Sequence, residues 1–324
     1  MRRTTNWLII LFISPFILMI CMLMGSSGII FPGFTDESAK TIWSIRLHRV
    51  VAGFVTGAAL STAGCVFQAL LRISLAEPYI LGVSSGAALG ATICIATGIS
   101  SLSWLMLPLW AFVFALGTLV AVYFLSRISL TISMYNLILS GVVVGAICSS
   151  IVMFIVSFVP REGLHTIMWW MLGDLDVYSW ELLIITGAIS AGGCIWMWIM
   201  ARDLNAISVN MEIAHTVGVN TKRVLLTGLA VATLVTSSVV SMVGLIGFVG
   251  LIVPHMMRGI VGPDHRRLIP ACAIGGGIFL AVCDAVARSV LAPREIPVGV
   301  ITALAGGPFF LMLLRKRSKR QWVD

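Results

Sequence analysis

Residues 224–257 read VLLTGLAVATLVTSSVVSMVGLIGFVGLIVPHMM, 34 residues without an Asp, Glu, Lys or Arg. A helix needs roughly 20 mostly apolar residues to cross a bilayer. The stretch is therefore one long span or two short ones broken across Gly244–Gly250. The choice decides the parity of the chain, and with it the side on which each loop lies.

The same reading extends outward. Charge-free segments run over Thr4–Thr35, Val50–Leu71, Pro78–Ser126, Ile128–Pro160, Leu182–Ala201, Leu268–Cys283 and Ile296–Leu314. Pro78–Ser126 is long enough for two spans, with a turn near Gly98-Ile99-Ser100-Ser101. Leu268–Cys283 is short and is expected to continue through Asp284 toward Val290. Of 324 residues, 59% are hydrophobic and only 10% charged, against about 25% charged in a soluble domain. Such a chain cannot cover itself with polar surface, so soluble enzymes, disordered proteins and nucleic-acid-binding modules are excluded. The apolar runs are continuous rather than alternating, which favours helices over a membrane barrel. Seven cysteines fall within apolar runs and form no CxxC pair, as small buried side chains do. The apolar part after Met1-Arg2-Arg3 is longer than a signal core and no A-x-A site follows, so a retained first span is expected.

Charge asymmetry chooses between the alternatives. The tail Arg315-Lys316-Arg317-Ser318-Lys319-Arg320 and the pair Arg2-Arg3 belong on the cytoplasmic side. Both termini inside demands an even number of spans, and splitting residues 224–257 gives ten. Fifteen basic residues then lie inside and five (Lys40, Arg46, Arg49, Arg161, Arg294) outside. Arg288, within a span, completes the 21. Trp169, Trp170 and Trp180 fall at the outer interface, where aromatic belts form. His48-Arg49-Val50 opens the second span and Lys222-Arg223-Val224 the seventh. Five spans separate them, so two such five-span repeats would be inverted, as in many transporters. The expected architecture is one all-α, ten-helix transmembrane domain over residues 1–324, with a cytoplasmic loop at about 202–223.

Three regions interrupt the apolar background. In Leu47–Ala88, small residues from Gly53 to Gly64 suit close helix packing, and Glu77-Pro78 with Gly82–Gly86 breaks the chain before the third span. In Arg202–Arg223, Asn210 suits an N-cap, Glu212 the first turn and Gly218 the position after a helix. A short surface helix with apolar Met211, Ile213, Ala214 and Val217 is expected there. In the last third, Asp284 and Arg288 stand four apart inside a span, where a mutual ion pair lowers the cost of both. No P-loop and no HExxH occur, so no ATP site, catalytic set, metal site or cofactor is expected on this chain.

The chain resembles the FecCD-type permease family, the membrane subunits of binding-protein-dependent ABC importers for iron–siderophores, haem and cobalamin. The matching stretches are Arg46-Leu47-His48-Arg49, Gly64–Gln68, Leu75-Ala76-Glu77-Pro78, Ile80–Ala87, Glu212 with Gly218-Val219, Gly247–His255 with Arg258, Asp264-His265-Arg266, Asp284 with Ala287-Arg288, and Glu295–Gly299 with Thr302, Gly306 and Pro308. Ile73-Ser74 stands where the family has Asn-Pro, and His48 where it has proline. The resemblance implies a bacterial cytoplasmic (inner) membrane location and ten spans. It implies a second permease subunit (identical or a close paralogue), two cytoplasmic ATP-binding subunits and an extracytoplasmic substrate-binding protein, all in membrane lipid and without nucleic acid. It also implies site residues. Arg46, Arg49 and Arg288 would dock acidic residues of the binding protein, where charge complementarity fixes register. Asn210, Met211, Glu212, Ala214, Gly218 and Val219 would couple to the ATPase. The fifth span, with Ser140, Gly141, Gly145, Ser149 and Ser150, would line the pathway. An ion-coupled secondary transporter is the competing class. It would couple to protons or sodium through intramembrane carboxylates, for which only Asp284 qualifies, and Asp284 reads as paired with Arg288.

Overall fold

A computed structural model describes residues 2–25, 37–126, 134–177 and 179–321; Arg127, counted above among the inner cations, lies outside them. The described residues form thirteen α-helices and no strand. They are α1 (Arg2–Leu23), α2 (Glu37–Leu71), α3 (Val83–Ala96), α4 (Met106–Ser126), α5 (Met134–Val156), α6 (Arg161–Leu172), α7 (Trp180–Ile199), α8 (Ala201–Val209), α9 (Met211–Thr216), α10 (Thr221–Val243), α11 (Val249–Val261), α12 (His265–Ser289) and α13 (Val298–Gln321). Short 3-10 turns precede α3 (Pro78–Leu81) and α4 (Ile99–Ser101).

The deciding stretch is broken. α10 stops at Val243 and α11 starts at Val249. Gly244 adopts φ 75°, and a Cβ there would lie 2.1 Å from the carbonyl oxygen of Trp170. No other residue fits that contact without moving backbone. Six described helices are long and apolar enough to cross a membrane: α4, α5, α7, α10 and α12, and α2 from Lys40 onward. Four shorter apolar helical stretches accompany them at Phe12–Leu23, Val83–Ala96, Val249–Val261 and Val298–Met312.

α2, α10 and α12 form the buried centre; α4, α5 and α7 are largely exposed, α4 and α7 packing on α10 and α5 on α3 and α4. Small residues allow this centre to close. A Cβ on Gly57 would sit 2.1 Å from the carbonyl oxygen of Gly276, and one on Gly64 only 2.0 Å from that of Gly250. Ser61 Oγ donates to the Cys272 carbonyl across the α2–α12 contact at 2.5 Å. In lipid, where apolar side chains gain little from meeting one another, such backbone approach is what holds helices together.

Three features differ from the charge-free segments. α2 begins at Glu37, well before Val50, because Lys40, Arg46 and Arg49 are good helix formers and need only leave the hydrocarbon, not the helix. α6 and α8 occupy stretches containing Arg161, Glu162, Arg202 and Asp203. Counting uncharged residues passes over such amphipathic elements.

Candidate functional site

The first cluster gathers where α1 ends, beside the N-terminal third of α2. Arg46 and Arg49 come from α2, and Asp284 and Arg288 from the last turns of α12. Asp174 and Asp176 lie in the α6–α7 loop, and Glu295 in the α12–α13 loop. Arg46, Arg49, Asp176, Arg288 and Glu295, with Gly25, Ile42 and Ile45, line an open cavity of about 340 Å³. The three guanidinium groups do not stand out from the surface: Arg46, Arg49 and Arg288 are buried, with 4%, 8% and 2% of their surface exposed.

Their partners differ. Arg46 donates to the Leu23 carbonyl at 2.7 Å and to that of Met22 at 3.3 Å. Arg288 donates to the carbonyls of Met24 (3.1 Å) and Cys21 (3.3 Å), and its Nε lies 2.8 Å from Asp284 Oδ2. Both arginines thus satisfy carbonyls left open at the end of α1, as cations do at helix C-termini. Arg49 touches no α1 carbonyl in this set. Its Nη1 meets Glu295 Oε2 at 2.5 Å, while Asp174 and Asp284 each lie 3.6 Å away. Asp174 also accepts from Trp169 Nε1 at 3.0 Å and from the Asp176 N–H at 3.0 Å. His48, in the family's proline position, packs its ring 3.6 Å from that of Trp180.

The second cluster joins the two breaks in the helical run. α3 follows left-handed Gly82 (φ 77°) and α11 follows left-handed Phe248 (φ 69°). The residues before them are bonded to one another. Glu77 Oε1 accepts from the Phe248 N–H at 2.5 Å. Tyr79 Oη donates to the Ile246 carbonyl at 2.7 Å and accepts from the Ile246 N–H at 3.0 Å. Gln68 Nε2 donates to the Gly250 carbonyl at 3.2 Å, and its Oε1 accepts from Arg258 Nη1 at 2.6 Å. Burial pushes the Glu77 carboxyl up to about 7, against the opposing effect of the Phe248 N–H. The sequence singled out Glu77 as part of a break but gave no sign of its partner, 171 residues away.

The third region is the surface pad of α8 and α9. The Asn210 side chain accepts from the Glu212 N–H at 2.8 Å and caps α9, and Gly218 adopts φ 87° beyond its end. Ala214 is buried, Met211 and Val219 half-buried, and Glu212 exposed. Val209, Ile213 and Val217 leave 68%, 52% and 67% of their surfaces open. The pad is fixed to the bundle: Asn205 Nδ2 donates to Asp264 Oδ1 (2.7 Å) and its Oδ1 accepts from the His265 N–H (2.9 Å). Burial pushes the Asp264 carboxyl up. The bonds from Asn205 and the Arg266 N–H, with the charges of Arg266 and Arg267, overcome that and hold it below the usual carboxylate range.

On α5 the five residues of the expected pathway wall do not share one face. Gly141 packs against the backbone of Ile80 and Leu81, and Gly145 faces Ser85 and Gly82. Ser149 and Ser150 are exposed, and Ser140 is half-buried between the two sides.

Comparison with known proteins places this geometry. The model of the FecCD transport family matches residues 7–316. The hemin transport system permease protein HmuU of Yersinia pestis is 34% identical over 325 residues, covering 94% of this chain and 95% of that one. The cobalamin import system permease protein BtuC of Halobacterium salinarum is 40% identical over 288 residues, covering 89% and 77%. A solved structure described as an inward-facing conformation of a metal-chelate type ABC transporter superposes with a TM-score of 0.88 at 28% identity. It covers 97% of this chain and 99% of its own.

Proposed function

The chain belongs to the FecCD transport family, and from that premise we infer that it is the permease subunit of an ATP-binding-cassette importer. Its ligand is an iron chelate (a siderophore or haem) or cobalamin. The observation that carries this reading is the family match along residues 7–316, joined by the exposed apolar pad on α8 and α9. A pad bonded to α12 through Asn205 can pass a push from a motor into the core of the bundle.

The finer features belong to the same proposal. Residues 1–324 form one domain of ten spans with both termini cytoplasmic. The six long apolar helices and four shorter ones supply candidates for that number. Two inverted five-helix repeats explain why α2 and α10 are each followed by a break, a left-handed residue and a short helix. Two permease subunits, identical or paralogous, enclose the path, and two ATPases bind the cytoplasmic pads at residues 210–219. An extracytoplasmic binding protein docks on the arginine cluster, and α5 contributes its Ser149–Ser150 side to the path. The assembly sits in a bacterial cytoplasmic membrane.

No observation favours an ion-coupled transporter working through Asp284, whose carboxylate lies against Arg288 and Arg49. Uptake of labelled siderophore, haemin and cobalamin by cells expressing the importer tests the ligand class. ATP-independent uptake by the permease alone would overturn the reading. The coupling role has its own test. Glu212→Arg, on an exposed side chain, is expected to cut ATPase co-purification while leaving permease yield unchanged. Undiminished co-purification would remove Glu212 from the contact.

A further inference from the structure

The three arginines of the outer cluster are not equivalent. Arg46 and Arg288 are committed to the end of α1, through the carbonyls of Cys21, Met22, Leu23 and Met24. Arg288 is additionally paired with Asp284, of which 1% is exposed. Removing either cation would leave α1 carbonyls open and, for Arg288, a buried carboxylate short of its nearest cation, a cost that falls on folding. Arg49 differs. Its closest partner is Glu295, with Asp174 and the buried Asp284 each 3.6 Å away, and the Glu295 and Asp174 side chains are 34% exposed. Both sit on connecting loops rather than on helices, and Glu295 lines the 340 Å³ cavity. The Glu295 end of the pair is open to solvent, and Asp284 stays beside Arg49 when Glu295 leaves, so Arg49 can change its outer partner without being left as an uncompensated buried charge.

We propose that Glu295 is a built-in stand-in for an acidic side chain of the binding protein, and that docking proceeds by exchange of Arg49 from Glu295 to the incoming carboxylate. This rests on the docking role proposed above and narrows it, since Arg49 carries the exchange while Arg46 and Arg288 hold the floor of the site. It also gives docking a mechanical consequence. Glu295 lies three residues before α13, and Asp174 joins α6 to α7. Releasing Arg49 removes one tie from each of the loops that lead into those helices. With no partner present, the pair with Glu295 adds to Asp284 in compensating the buried charge of Arg49.

The test uses the complete importer in lipid nanodiscs and its own ligand-loaded binding protein, with affinity measured against salt. Glu295→Gln keeps the shape and removes the competing charge. The expected result is capture roughly two- to fivefold tighter at low salt, the factor corresponding to a surface pair, and a steeper loss of affinity as salt rises. Weaker capture would make Glu295 a positioning group for Arg49, and unchanged capture would make it a bystander; either overturns the exchange. Arg49→Gln separates the two levels. If it leaves capture intact, the docking role itself fails. If it loosens capture by roughly tenfold or more while Glu295→Gln does not tighten it, only the exchange fails. Melting temperature and basal ATPase activity of both variants report whether the bundle is intact. Should Glu295→Gln prove misfolded, Glu295→Asp carries the same test. Its shorter reach weakens the internal pair and should shift affinity in the same direction.

Discussion

At the residue level, the most consequential group is one whose partner the sequence does not display. Glu77 follows α2 in a stretch marked as a break by Pro78 and Gly82, and that much is legible locally. Its bond to the Phe248 N–H depends on a tertiary contact across 171 positions. No periodicity encodes such a pair. The arginines show the same divide. Their outlying place in an apolar chain is visible at once, whereas their division into two anchors of α1 and one exchangeable cation needs coordinates. Glu77 also has a measurable signature. Its folded carboxyl is raised from 4.5 to about 7 by burial, so the folded protein binds the proton more tightly than the unfolded chain. The contribution is fully present below about pH 4.5 and is lost as pH rises to about 7. Thermal melts of the purified protein should therefore fall between those values, with a flat contribution above. Glu77→Gln, whose amide oxygen can still accept from Phe248, should flatten that part of the profile. An unaltered slope in the variant would assign the dependence to other groups.

At the level of helices, the chain-wide pattern was readable wherever burial in lipid imposes it. Absence of charge located the apolar helices, and the glycines around residue 244 located the break between α10 and α11. α6 and α8 escaped because an element lying at a surface needs no charge-free run. Their acidic residues, Glu162 and Asp203, sit in their first turns and fit a helix start. Helix contacts were legible as composition but not as pairing. The small residues of α2 implied close neighbours without saying that Gly57 meets α12 and Gly64 meets α11. Gly64 provides the sharper test. A methyl group there would lie 2.0 Å from the Gly250 carbonyl oxygen, with the Gly250 Cα at 2.5 Å. Backbone must shift, and the same approach carries the Gln68 bond to that carbonyl. Gly64→Ala is expected to cost about 1–3 kcal/mol, the range for overpacking, read as a lower melting temperature and a reduced monodisperse yield in detergent. Gly192→Ala, where a Cβ meets nothing within 4 Å, should leave both near wild type.

At the level of the whole molecule, the proposed topology turns on α6. Leu102, in the turn before α4, and Ile213, on α9, are exposed (77% and 52%) and separated by α4, α5, α6, α7 and the nine-residue α8 of the surface pad. α6 begins with Arg161 and Glu162 and, unlike Val83–Ala96 and Val249–Val261, is not one of the shorter apolar helical stretches, so in the proposed topology it lies at a surface. Its His165 and Trp169 rings stack on one another and line a second cavity together with Asp174 and Asp176. Three crossings therefore separate the two positions, and they should face opposite sides of the membrane. Were α6 a span, four crossings would return them to the same side, the parity of the chain would change, and the inner excess of arginine and lysine would dissolve. Single cysteines at the two positions distinguish these outcomes. Of the seven native cysteines, six are buried and Cys194 is half-buried, so background labelling should be low. A membrane-impermeant maleimide should label Leu102→Cys in intact cells and Ile213→Cys only after permeabilisation. Labelling of both from one side would refute the ten-span arrangement. It would also place the α8–α9 pad and the arginine cluster on the same face of the membrane, where one could not meet a cytoplasmic motor while the other received an extracytoplasmic partner.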